Sequence, residues 1–409
     1  MFLERLELVD IRSYHQALLE LRPGTNVLVG GNAQGKTNLV EAIHYLGIGG
    51  THRTSSEAAL VRAGRESGVI RAGVRLDTGR ALAVEVELRP GGRNRARVNG
   101  QSQPRYRQAI GLVRSVLFAP EDLQLIRGDP TERRRFLDDL LAQRRPAYLA
   151  ARQEYERVLR QRNALLRGLR GAQARSRDGG GHDASDATLT TWNDALVRAG
   201  AVILAARIAV VHALAGPTAA AYADLAGAEG QPSVELTYEL STGRRIQAQP
   251  GTGIPHPATL ADELRAGLAE LAPAERERGV TLAGPHRDDL DLRIGTLPAK
   301  GFASHGEQWS LALALRLASH AVLHEVGEEP IVLLDDVFAE LDVHRRQRLA
   351  ARCTRFQQAV VTAAVEADVP LKGPRYWVGE GAIRPVTGAG AERPPDTREE
   401  GSLGGDRDG

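Results

Sequence analysis

The chain has 409 residues, 42% hydrophobic and 25% charged, enough for two or three domains around a large buried core. A formal net charge of +2 excludes any argument about partners from bulk electrostatics. The single cysteine, Cys353, excludes a disulfide framework, and the start MFLERLELVDIRSYHQ lacks a secretory pattern, so a cytoplasmic protein is expected.

Leu3 to Val9 and Leu18 to Leu21 read as strands framing an irregular Arg12-Ser13-Tyr14, and Asn26 to Val29 reads as a buried strand. The next eight residues are Gly30, Gly31, Asn32, Ala33, Gln34, Gly35, Lys36 and Thr37, and a helical pattern follows from Asn38 to Leu46. They fit G-x-x-x-x-G-K-[ST], in which glycines let successive backbone N–H groups face phosphate oxygens while the helix adds its positive end. Lys36 is then placed for the β- and γ-phosphates and the Thr37 hydroxyl for a metal, which predicts ATP and Mg²⁺ as cofactors. Only three of the 53 basic residues are lysines, at 36, 300 and 372. One of them inside this loop is informative, because the site needs a compact charge on a flexible stem.

Val69 to Leu76 and Ala81 to Leu88 alternate as strands do, and Ala96 to Gln103 carries the hairpin signal Asn99-Gly100. From Pro130 to about Gly230 the pattern is helical. Tyr148, Tyr155, Val158, Leu159, Leu165, Leu166 and Leu169 share one face. A polar stretch, Ser176 to Thr188, precedes a second helix from Trp192 to about Ala226, which Pro217 is expected to kink or interrupt. Together they predict an antiparallel arm with a disordered tip. Leu196 to Gly216 is the most membrane-like segment, yet it holds Arg198, Arg207 and His212, so a buried helix and no membrane partner are expected.

Residues 127–170 hold 12 arginines against six acids. Arg133, Arg134, Arg135, Arg152 and Arg160 are candidates for DNA phosphates, as is Arg53 after the loop helix. The alternatives are a solvated helix face with pairs such as Glu156 to Arg160, or, for Arg133 to Arg135, a tie between arm and head. No aromatic platform is evident, so backbone-driven, salt-dependent binding is expected.

VELTYEL (234–240) returns to a strand, Thr259 to Glu277 is a helix, and Val280 to Ile294 opens the last segment. His286-Arg287-Asp288-Asp289 has metal-ligand residue types without zinc spacing, and reads as a hydrogen-bonding segment. Ser304-His305-Gly306-Glu307-Gln308 opens a helix to about Val326 and forms either a second anion site or a plain N-cap with Glu307 at the positive end. Ile331 to Leu334 is a buried parallel strand ending in Asp335-Asp336. Asp335 would hold Mg²⁺ with Thr37, and Asp336 would orient or deprotonate water, so Lys36, Asp335 and Asp336 form the expected catalytic set. About 300 residues separate the two motifs, so an insertion lies between them. After about Glu380 the composition predicts a disordered tail.

The set GGNAQGKT, SHGEQ, LLDD and Ala339-Glu340-Leu341-Asp342 resembles the ABC/SMC-type ATPases. Within that class DIRSYHQ, THRTSS (51–56), FAPEDLQLIRGDPTERRRFLD (118–138), TLAGPHRDDL (281–290) and LDDVFAELDVHRRQRL (334–349) resemble the RecF family. The resemblance covers about residues 1–365. It implies an α/β fold, a P-loop ATPase head of mixed sheet and helices (1–126 and 280–378), an inserted helical lobe (127–279) and a tail (379–409). In this class the signature of one copy, here Ser304, Gly306, Glu307 and Gln308, caps the γ-phosphate held by another, with Asp342 at the crossing loop. The resemblance further implies a weak DNA-dependent ATPase that dimerises on ATP and binds single-stranded, gapped or junction DNA. Recombinase loading, SOS support and RecO- and RecR-type partners are implied too. Two departures stand out: Asp336 replaces the glutamate of many ABC ATPases, and Thr362 stands where a switch histidine is usual, both as in RecF-like sequences. A transporter ATP-binding subunit and a structural chromosome head are the alternatives.

Overall fold

The computed structural model describes residues 1–51, 57–173, 182–227, 233–248 and 253–386. Arg53, the arm tip and the residues past 386 lie outside these.

Two sheets build the head. The first is antiparallel: β1 (Phe2–Ile11), β2 (Tyr14–Glu20), β4 (Gly68–Arg75), β5 (Ala81–Leu88), β6 (Arg95–Val98) and β7 (Gln101–Ser102) run in the order β2-β1-β4-β5-β6-β7. In β1 the buried positions step from Leu3 to Leu6 and then Leu8, because the pairing with β4 shifts between Leu3 and Arg5. Asn99 and Gly100 turn β6 into β7 with φ of 50° and 79°, the left-handed pair a two-residue hairpin needs.

The second sheet is parallel at its centre. β8 (Ser115–Phe118), β13 (Ile331–Asp335), β14 (Gln358–Ala363), β3 (Gly24–Val29) and β15 (Arg375–Gly379) lie side by side, with β16 (Ala382–Pro385) antiparallel at one edge. β13 is buried along its whole length, as the apolar run predicts. β16 falls within the range expected to be tail; it completes the sheet as a hairpin on β15.

Helix α1 (Lys36–Ile48) lies between the two sheets and is buried on all sides, so its weak amphipathicity is a consequence of its position. Truncating Leu39 there would cost about 2–5 kcal/mol.

The lobe starts with α2 (Leu123–Arg127) and α3 (Pro130–Arg144), then α4 (Ala147–Gln173) and α5 (His182–Ala226). Arg162 pairs with Asn193, and Tyr155 lies beside Gly200, so α4 and α5 run antiparallel. α5 is helical on both sides of Pro217, so the proline does not interrupt it. Its burial against neighbouring elements offsets the hydrogen bond that proline removes. It also begins earlier than Trp192. Among the described residues it is the helix long and apolar enough to cross a membrane, and half of that window is buried inside the protein. Arg207 within it is buried on Asp138 (2.8 Å).

β9 (Val234–Glu239), β10 (Arg245–Gln247), β11 (Asp289–Ile294) and β12 (Leu297–Pro298) form a third sheet, ordered β10-β9-β11-β12, beside α6 (Pro257–Arg278). The segment at 289–298, placed in the head by the expected boundary, is thus hydrogen-bonded to the lobe. The short turn α7 (Ala299–Phe302), α8 (His305–His324) and α9 (Val343–Cys353) complete the chain.

Candidate functional site

Strands β3, β13 and β14 deliver their carboxyl ends to one place, because Thr362 of β14 pairs with Asp335 of β13 on one side and Leu28 of β3 on the other. The loop after β3 therefore meets the acid at the end of β13. Two glycines there have no substitute. A Cβ on Gly30 would sit 2.0 Å from the Val378 carbonyl oxygen, and Gly35, at φ 102°, would meet the Tyr14 hydroxyl at 2.7 Å. Ala33 also adopts a left-handed φ of 62°, which curls the loop.

Lys36 is 3% exposed, and its ammonium donates to the Gly30 and Gly31 carbonyl oxygens at 2.8 and 3.0 Å. α1 begins at Gly35 with no side-chain cap and no acid in its first turn, so its positive end is unneutralised. The turn between β1 and β2 braces the loop. Arg12 grips buried Glu41 with two bonds of 2.8 and 2.7 Å, and Asn38 donates to Ser13 Oγ at 3.0 Å. Gln34 accepts from the Glu380 N–H at 3.0 Å. Asn32 and Gly31 complete the loop and are exposed.

Asp335 is 5% exposed and accepts from the hydroxyls of Thr362 (2.7 Å) and Thr37 (3.1 Å). Burial raises its proton affinity above the ordinary carboxylate range, and the two hydroxyls only partly offset that. A buried carboxylate beside a hydroxyl suits a hard divalent cation, which would restore the charged form, so the residues fit Mg²⁺. Asp336 is held at φ 52° while its N–H donates to Thr362 Oγ1 at 2.9 Å. Thr362 thus braces both acids, from the position where the resemblance expects a switch histidine.

The second anion motif is arranged differently. Ser304 N-caps α8 in a full capping box: its Oγ accepts from the Glu307 N–H (3.3 Å), and its own N–H and hydroxyl both donate to the Glu307 carboxylate (2.8 and 2.7 Å). Those bonds hold the Glu307 carboxyl below its usual range. Ser304 is exposed, and Gly306 is half-buried with the Arg345 guanidinium over it. Arg345 joins this helix to the next. It donates to Ser310 Oγ at 2.8 Å and pairs with Asp342, which caps α9 by accepting two N–H groups at 3.0 Å. Arg127 reaches Gln308 and His305. Both arginines lie inside stretches that carry the family resemblance, Arg345 in 334–349 and Arg127 in 118–138, but nothing in those runs marks either one as a site residue. Among the described residues no hydrogen bond joins 304–308 or Asp342 to the loop at 30–37.

Between head and lobe lies an open cleft of about 820 Å³, lined by Arg107, Arg134, Arg135, Arg152, Arg157 and Arg160 among others. Arg133 is not on it. It is 6% exposed and clasps Asp289 with bonds of 2.7 and 2.8 Å, which removes it as a phosphate contact and makes it a tie between α3 and β11. Arg134 donates to the Asp288 carbonyl (2.7 Å), Arg135 to that of Thr51, and Arg152 to Glu156 (2.9 Å). Arg160 is exposed on the cleft wall. Below, Tyr155 donates to His286 Nδ1 (2.7 Å), whose Nε2 meets the Thr281 carbonyl (3.1 Å). Asp288 accepts from Ser241 N–H (2.7 Å) and the Tyr238 hydroxyl (3.0 Å). This segment is therefore a hydrogen-bonded support, and among the described residues no metal-type cluster forms.

The RecF/RecN/SMC N-terminal domain family matches residues 2–369. "DNA replication and repair protein RecF" of Streptomyces avermitilis is 51% identical over 94% of this chain and 100% of the relative. A protein of the same name from Frankia alni is 50% identical over 94% of this chain and 99% of the relative. The solved "recombination mediator protein RecF-ATPrS in RecFOR pathway" superposes with a TM-score of 0.83 at 26% identity, covering 94% of this chain and 98% of that one.

Proposed function

The chain belongs to the RecF family of DNA replication and repair proteins, and on that premise we propose that it is an ATP-operated DNA clamp that closes as a dimer. One observation carries this reading. Buried Lys36 and buried Asp335, the latter bonded to Thr37, form one half-site at the base of the loop, whereas Ser304 is exposed, Gly306 is half-buried, and no hydrogen bond among the described residues connects either to it. A second copy brings the missing half. Phe302, Val343 and Val365 support this, being 65%, 62% and 55% exposed and adjoining, in turn, the signature, Asp342 and the end of β14.

In the proposed cycle Lys36 leaves the loop carbonyls for the β- and γ-phosphates, and the bare end of α1 takes their charge. Mg²⁺ on Thr37 and Asp335 would neutralise developing charge on the phosphates. Ser304 and Gly306 of the other copy cap the γ-phosphate, and Asp336 orients the attacking water. Hydrolysis opens the dimer. A shorter acid there suits slow turnover. DNA would lie in the cleft against Arg160, with Arg134, Arg135 and Arg152 secondary because all three are engaged internally. Single-stranded or gapped DNA, recombinase loading, SOS support and RecO- and RecR-type partners belong to the same reading; the solved relative's place in the RecFOR pathway supports it.

The test is light scattering with and without ATP and Mg²⁺, alongside gel shifts on duplex, gapped and single-stranded DNA. A dimer with nucleotide and a monomer without it are expected. A protein saturated with ATP that stays monomeric at high concentration overturns the clamp.

A further inference from the structure

Tyr222 lies near the end of α5, 1% exposed, and its hydroxyl has no hydrogen-bond partner among the described residues. A buried hydroxyl left unpaired is destabilising, and it points to a second arrangement in which the bond is made. The packing of α9 on α5 shows what the hydroxyl faces. Arg348 donates to the Leu225 carbonyl oxygen (2.8 Å) at the C-terminal end of α5, and Arg352 pairs with Asp224 (2.8 Å). A Cβ on Gly227, at φ 73°, would fall 1.7 Å from the Arg348 guanidinium, so glycine there lets α9 close on the helix end. Arg345 stands one turn before Arg348, and Tyr222 one turn before Leu225, which sets the tyrosine toward Arg345. Arg345 in turn lies over Gly306 and donates to Ser310 Oγ at 2.8 Å. The end of α5 therefore abuts the signature.

The charges around the hydroxyl agree with this placement. Burial pushes the Tyr222 phenol up to about 12; the Glu307 carboxylate adds to the rise and the Arg345 guanidinium opposes it. Glu307 is thus an acid beside an unpaired donor, but its bonds lie elsewhere. The N–H and the hydroxyl of Ser304 both donate to Glu307 Oε2, at 2.8 and 2.7 Å, and Oε1 makes no hydrogen bond among the described residues. Trp309 Nε1 on α8 and Arg346 Nε on α9 are also buried without partners among the described residues, so unpaired atoms recur on the helices that meet here.

We propose that Tyr222 is a positioning residue of the signature, its hydroxyl donating to the Glu307 carboxylate once Ser304 turns to another copy's γ-phosphate. The proposal rests on the dimer reading above and supplies a step which that reading needs. Ser304 has one hydroxyl hydrogen and cannot give it to Glu307 and to a phosphate together. Glu307 then keeps the Ser304 N–H and loses the hydroxyl, just as a second negative charge arrives. A bond from Tyr222 holds the carboxylate on the α5 side, away from that phosphate. The exchange replaces one O–H···O bond by another, and no proton changes owner.

Tyr222→Phe removes the hydroxyl and keeps the ring. Without nucleotide its thermal midpoint should match wild type or rise slightly, because the hydroxyl is unpaired in that state. With ATP and Mg²⁺ its dimer should be weaker about tenfold or more by analytical ultracentrifugation, the worth of a hydrogen bond to a charged group. A second measurement needs no dimer. In Ser304→Ala the Glu307 carboxylate has already lost the serine hydroxyl, so adding Tyr222→Phe should lower the nucleotide-free midpoint by about 1–3 °C. A midpoint lowered equally with Ser304 present and absent makes Tyr222 a structural residue and overturns the proposal. No added effect in the Ser304→Ala background overturns it as well. A Tyr222→Phe dimer as tight as wild type overturns it and leaves the clamp standing, as does an undiminished loss when Glu307→Ala is already present. Wild type that stays monomeric with ATP sinks the dimer reading and the role of Tyr222 with it.

Discussion

The two candidate anion motifs are both helix N-termini, yet they are finished in opposite ways. α1 starts bare, with no side-chain cap and no acid in its first turn, and a buried lysine waits on its own loop carbonyls. α8 starts fully satisfied, with Ser304 and Glu307 bonded reciprocally and a carboxylate already at the positive end. The first is complete for an anion except for the anion itself. The second must give up the Ser304–Glu307 bond before its hydroxyl can serve a phosphate. On the proposed dimer reading, the bare site would bind first, and the exposed, self-satisfied one would engage only when a partner's charge outcompetes Glu307.

The comparison breaks most visibly at Lys36. Lys36→Ala should weaken ATP binding on the order of 100-fold, because a charged hydrogen-bonding group contributes about 1.5–3 kcal/mol. Calorimetry measures this, and binding within a fewfold of wild type would mean the α1 end suffices alone. Asp336→Asn removes the group placed for water and no phosphate contact. Turnover should fall about 10²–10⁴-fold, by phosphate release, while the nucleotide-dependent dimer persists. Loss of the dimer would make Asp336 a binding residue.

Ser304→Arg sharpens the contrast from the other side. It fills the exposed cap and should abolish the dimer seen by light scattering, yet leave ATP affinity of the monomer within about threefold, since the half-sites share no bonds. A parallel loss of ATP affinity would show that both motifs serve one nucleotide within a single copy.

Contiguity governed what could be read from the sequence. The loop 30–37, the strand before it, the acids at 335–336 and the cap at 304–307 are local patterns, and each sits where its residues place it. Thr362 is different: the resemblance marks its position, but its contact with both acids arises because β14 lies between β3 and β13, which no local pattern states. Arg133 reads as a surface cation in an arginine run, and only the return of β11 supplies Asp289 to bury it. Pro217 signals a break by local rules, but packing along α5 overrides it.

The smallest effects come from the support beneath the cleft, where two neighbours oppose each other in pH. Burial raises the Asp288 carboxyl to about 6 and lowers the His286 imidazole to about 4. Between pH 4 and 6 the folded protein holds a proton on Asp288 that the unfolded chain releases, so that group's contribution falls as pH rises. Between pH 6.5 and 4 the unfolded chain protonates His286 and the folded one does not, so that contribution falls as pH drops. Each is worth up to about 3 kcal/mol, and they nearly cancel. Asp288→Asn should therefore improve relative to wild type as pH rises from 4 to 6, and His286→Gln should improve as pH falls over 6.5 to 4. Thermal midpoints at three pH values decide it. Parallel curves for both variants would mean that neither group titrates differently on folding, and that the nucleotide face, with its buried Asp335, is the pH-sensitive region instead.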